Sequence, residues 1–150
     1  MNELTTTLSE IRKHGPCPEG WATLLASLNK ASADDESLTL LSILDSNGIK
    51  DAIWALRAVD SKYDNAIRLF ACFCAKYSLD IFENEFPDDK RPRQAIETAE
   101  RFAYGQATKD ELAAAEAAAE AAAWEHFKSE FIRLCRLEGK YGEVIHADTN

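Results

Sequence analysis

The chain has 150 residues, enough for one ordinary domain burying roughly two-thirds of the surface its unfolded form exposes. Hydrophobic residues make up 46% and charged residues 29%, a globular balance that argues against wholesale disorder. Lys and Arg total 17 against 26 Asp and Glu, a net charge of −9, and an acidic chain is poorly suited to non-specific nucleic-acid binding because phosphate neutralisation needs a basic surface.

Residues 3–13 read as a short first helix with Leu4, Leu8 and Ile11 on one face, so 1–14 form an N-terminal arm or helix. His14-Gly-Pro-Cys-Pro18 ends it, since two prolines and a glycine cannot continue a helix. Glu19 to Leu28 spaces Trp21, Leu24, Leu25 and Leu28 as the core face of a second helix. After a polar link, Asp34 or Asp35 is the expected N-cap of a third, which carries Leu38, Leu41 and Leu44 and stops at Asn47-Gly48. Lys50 to Val59 is a fourth, burying Ile53, Leu56 and Val59 with Trp54 beside them.

Asn65 to Phe86 is apolar over more than half its circumference, through Ile67, Phe70, Ala71, Cys74, Ala75, Leu79, Phe82 and Phe86, which predicts the central helix of a bundle. A charged loop at 87–92 leads into a sixth helix that turns Ala95, Ile96, Ala99, Phe102 and Ala103 inward and is capped by Gly105. Thr108 with Glu111 forms a capping box opening an Ala-rich helix to about Glu138, closed by Gly139. Residues 140–150 read as a loosely held tail. Alternating β-branched runs are absent. The expected fold is therefore all-α: a single-domain helical bundle, 1–150, of about six or seven helices with a long Ala-rich C-terminal helix.

The most apolar stretch, Ala66 to Phe86, is interrupted by Arg68, Lys76, Asp80 and Glu83 and reads as a buried helix, not a membrane span. Residues 1–15 lack the continuous apolar run of a signal peptide. Of the four cysteines, Cys72 and Cys74 point about 200° apart on a helix and cannot bridge each other, and nothing resembles a secreted disulfide framework. A cytoplasmic compartment is expected.

Chemistry is sparse. His14 and Cys17 have ligand-like spacing, but His126, His146 and Cys135 would have to converge on them from distant segments, whereas structural zinc sites announce themselves as two close pairs. No metal or cofactor is expected. No cysteine lies beside a glycine-rich turn or an activating group, and no phosphate-cradling loop is present, so no catalytic residues are assigned and the chain reads as a non-enzyme. A hydrolase using Cys17 or Cys135 stands as a third reading. Arg57 and Arg68 lie within apolar helical stretches and need acidic partners, for which Asp51, Asp60, Asp64 and Asp80 are nearest. The three histidines read as surface residues.

The Ala-rich helix has two readings. Alanine at Ala113–Ala123 permits close helix approach, so the segment is either a rigid packing element or a docking ridge whose acidic face meets a basic partner. Aromatics exposed near Trp124 would favour the ridge. The candidate partner-binding residues are Asp88, Asp89, Glu97, Glu100, Glu116, Glu120 and Trp124.

Three strings together resemble a known group: Ser46-Asn-Gly-Ile-Lys-Asp-Ala-Ile-Trp-Ala-Leu-Arg-Ala-Val59, Ala66-Ile-Arg-Leu-Phe-Ala-Cys-Phe-Cys-Ala75, and Ala95-Ile-Glu-Thr-Ala-Glu-Arg-Phe-Ala-Tyr-Gly-Gln-Ala-Thr108. With Phe131-Ile-Arg-Leu-Cys-Arg-Leu-Glu-Gly139, the resemblance spans roughly Gly15 to Gly139. The group consists of small helical proteins of phage, prophage and bacterial genomes, some labelled as immunity proteins. The resemblance implies a mobile-element or conflict-system protein that binds and blocks another protein. The leading expectation is accordingly an inhibitor or immunity-type factor (anti-CRISPR or anti-restriction in kind) that occludes a basic surface on a defence effector or toxin. Carboxylates mimicking DNA phosphates are a variant, weakened by Lys90, Arg91, Arg93 and Arg101. A structural module that pairs with its own copy is the alternative.

Overall fold

The protein is described by a computed structural model covering residues 3–147, with side chains described through Val144. Among these residues the fold is all-α, as eight α-helices with one minimal pair of strands. The chain passes from one compact unit to a second at Ile67–Arg68.

In the first unit, the strands are β1 (Thr5–Thr6) and β2 (Leu38–Thr39), paired antiparallel with Thr5 opposite Thr39 and Thr6 opposite Leu38. The helices are α1 (Leu8–Lys13), α2 (Pro18–Ser27), α3 (Leu40–Asn47) and α4 (Ile49–Ala55), followed by 3₁₀ turns at Leu56–Ala58 and Ser61–Tyr63. The strand pair corrects two expectations. The first helix starts at Leu8 because Thr5-Thr-Thr7 is β-branched and prefers extended backbone, and the Thr7 hydroxyl caps the helix by accepting from Glu10 N–H. The third helix is capped by Thr39, which accepts from Ser42 N–H at 3.1 Å; Asp34 instead accepts from Glu36 N–H in the preceding link.

Leu8, Ile11, Leu24, Leu38, Leu40 and Ile43 form the core with Ala52, Ala55 and Ala58. The buried Thr6 hydroxyl donates to Ala58 O at 2.6 Å, tying β1 to the turn after α4. Leu41, Leu44 and Ile53, expected inside, are exposed. The reason is register: α3 begins at Leu40 and buries Leu40 and Ile43, and α4 is only seven residues long and turns Ala52 and Ala55 inward. Gly48, at φ +85°, joins α3 to α4 with a backbone that side-chain-bearing residues rarely adopt.

The second unit holds most of α5 (Asp64–Glu85), together with α6 (Arg91–Ala103), α7 (Lys109–Cys135) and α8 (Lys140–Ala147). Thr108 caps α7 with the full reciprocal capping box: its hydroxyl accepts from Glu111 N–H, and its own N–H donates to Glu111 at 2.8 Å. α6 and α7 lie along one another, with Ala122 fully buried and Leu112 nearly so. α5 is not the enclosed helix that its apolar wheel predicts. Only Cys72 and Leu79 are buried, while Phe70, Phe73, Tyr77 and Ile81 face outward on the opposite side. Residues 140–147, expected as part of the tail, form α8, which Lys140 and Tyr141 fasten to Glu130 at 2.8 and 2.7 Å. The remainder of that tail, 148–150, lies outside the described residues, as does the side chain of His146.

Candidate functional site

The acidic candidates separate into two kinds. Asp89 is a fastener. Arg91 grips its carboxylate through Nε at 2.9 Å and Nη2 at 2.7 Å, and His126 Nε2 lies 3.0 Å from the same group. Arg91 reaches on to Glu125 at 2.7 and 3.1 Å, so one guanidinium ties the loop before α6 to α7. The Arg91 bonds, with a smaller contribution from His126, hold the Asp89 carboxyl well below the usual range. The His126 ring stacks on Phe86 with centroids 3.6 Å apart and meets Phe82 edge-on, so this histidine is a half-buried packing residue, contrary to the surface expectation. Glu100 is likewise committed, paired with Lys76 of α5.

Asp88 and Glu97 are exposed. Glu116, Glu120 and Trp124 recur every four residues along one face of α7, and all three are exposed. Glu116 lies 4.0 Å from Arg68, and Glu120 accepts from the Trp124 indole at 3.4 Å. Arg68 also stacks over Phe102, while Arg57 stacks over Trp54 and donates to its carbonyl. The acidic partners expected for Arg57 and Arg68 among Asp51, Asp60, Asp64 and Asp80 are therefore replaced by aromatic faces and Glu116.

The feature missed as a site is the continuation of that α7 face. Trp124, Phe127, Phe131 and Leu134 are spaced three, four and three apart, and are 64%, 62%, 64% and 43% exposed. They lie across the helix from Ala122 and His126, so α7 packs with one side and presents the other. Trp124 and Phe127 meet edge-to-face at 5.9 Å. The 3-4-3 spacing was legible in the sequence, but which way it faced was not.

Elsewhere, the first unit has an apolar cavity of about 270 Å³ lined by Cys17, Trp21, Leu24, Asp51 and Trp54 among others. Its lining brings a thiol near a carboxylate without an imidazole. Burial pushes the Cys72 thiol above its ordinary value. Among the described residues, no group of three or more His, Cys, Asp or Glu is placed to hold a metal ion. No helix there is long and apolar enough to cross a membrane.

Residues 57–150, which include α5 to α8 with the exposed α7 row and its capping box, match the family model described as Imm-5 like putative immunity protein. The chain belongs to this family. The match begins later than the resemblance read from the sequence, leaving the first-unit helices α1–α4 outside it. Comparisons with curated proteins and with solved structures give no match. Membership in the Imm-5 like family gives the protein an immunity-type function, with a protein partner such as a toxin.

Proposed function

We propose that this Imm-5 like protein is a non-enzymatic immunity factor that binds and blocks a bacterial toxin or defence effector through the outward face of α7. The observation that carries this reading is the exposed row Trp124, Phe127, Phe131 and Leu134 within the family-matched segment. Contiguous exposed apolar side chains, aromatic ones above all, are the usual centre of a protein interface. Glu116 and Glu120 extend the row toward the helix N-terminus and favour a partner with basic groups there. Asp89 and Glu100 serve the protein's own architecture in this reading, and Asp88 and Glu97 lie at most on its rim.

The test is neutralisation. Proteins captured by the chain but not by a Phe127→Glu/Phe131→Glu variant are produced singly in bacteria, where the true partner arrests growth. Wild-type chain restores growth, and the double variant does not. A captured partner whose toxicity persists beside wild-type chain would overturn the immunity reading.

A further inference from the structure

The outward face of α7 carries a second pattern. Ala113, Ala117, Glu120, Trp124, Phe127, Phe131 and Leu134 recur at alternating steps of four and three, the spacing of a coiled-coil seam, and each of them is exposed. The seam is lopsided: its N-terminal half is made of small or slender residues, and its C-terminal half of bulky ones.

We propose that the seam is self-complementary, and that without its partner it is covered by the same seam of a second copy running antiparallel. This rests on the reading of that face as a docking surface. With the two α7 helices crossing at the level of residue 122, Ala113 of one copy faces Phe131 of the other, Ala117 faces Phe127, and Glu120 faces Trp124. Each of these three layers then sets a smaller side chain against a larger one, which lets two helices keep a constant separation along the paired stretch, with Leu134 lying beyond it. A parallel pair would stack Phe on Phe at one end and Ala on Ala at the other, and would splay.

The size of the contact sets its strength. At the observed exposures, the three aromatics and Leu134 of two copies can cover roughly 800–1,000 Å². With the exposed surface of Ala113, Ala117 and Glu120 that they cover, the contact reaches only the low end of the ~1,200–2,000 Å² of stable complexes. The two Glu120 carboxylates also approach within one turn of each other at the centre, which weakens the pair further. A dimer dissociating in the micromolar range follows, one that a tighter partner displaces.

Sedimentation equilibrium of the full chain from about 1 to 300 μM reads this directly. The expected result is a monomer–dimer equilibrium with a Kd of tens of micromolar. Ala117→Phe and Phe127→Ala each weaken it about tenfold, and the combined swap restores it to within about threefold, because residues 117 and 127 face each other only across the antiparallel pair. Glu120→Gln tightens it. All three positions involved are exposed, and unchanged circular dichroism shows that each variant folds. A chain that remains monomeric throughout overturns the proposal, as does a dimer in which the two substitutions weaken additively. The docking face is judged separately. Loss of partner binding in Phe127→Glu/Phe131→Glu with a monomeric wild type overturns self-pairing alone; intact partner binding in that variant with a dimeric wild type overturns the docking face alone.

Discussion

Asp89 lies where the loop before α6 meets α7, with Arg91, His126 and, through Arg91, Glu125 converging on it. Replacing it by Asn keeps the shape and removes the charge that the guanidinium was matched to. Asp89→Asn should cost about 1–2 kcal/mol in urea unfolding, without loss of partner binding. Glu83 shows the same logic: the Arg93 guanidinium and the Lys90 ammonium lower its pKa from 4.5 to about 2. Lys140, with help from Tyr141, lowers Glu130 likewise to about 2. A carboxyl with a depressed folded pKa binds protons more readily when unfolded, so its contribution is present above pH 4.5 and disappears as pH falls toward 2. Urea midpoints should hold level from neutral pH to about 5 and then decline through this window, less steeply in Glu83→Gln. A profile level down to pH 2 would contradict these pairings.

α7 shows how far one element can be read from its residues. Its start at Thr108 was legible because a capping box is a local arrangement, complete within four residues. Its two faces were not, because alanine fits a buried side and an exposed one equally well. The same gap explains α5, whose wheel is apolar over more than half its circumference although only Cys72 and Leu79 are buried, and α3, where Leu41 follows the core spacing yet points to solvent. The strand pair was missed for a different reason: Thr5–Thr6 and Leu38–Thr39 are two residues each, too short to show alternation, and their paired residues stand 32 and 34 positions apart in the chain. The faces of α7 separate cleanly in one comparison. Ala122→Leu pushes extra methyl groups into a fully buried position and should cost about 1–3 kcal/mol. Ala117→Leu, one face away, should leave stability within about 0.5 kcal/mol. Thermal unfolding of the two variants checks this.

At the scale of the molecule, several carboxylates of the second unit are committed to its own architecture: Glu83, Asp89, Glu100, Glu125 and Glu130 each pair with a cation of the same chain, and the outward row of α7 below Glu120 is apolar. On the proposed docking face, a basic surface is then a secondary requirement of the partner, and apolar contact the primary one. Binding that rested on charge alone would weaken steeply with salt. Here the affinity should fall only severalfold between about 0.05 and 0.5 M salt. The all-helical fold was legible in the sequence because helix caps, Ala content and absent β alternation agree. The proposed docking face was legible only as a spacing, because exposure is a property of packing. The decisive measurement is calorimetric titration of the neutralised partner into wild-type chain and into Phe127→Glu/Phe131→Glu. A docking face on α7 predicts at least about a hundredfold loss of affinity in the variant, and equal affinity of the two would contradict it.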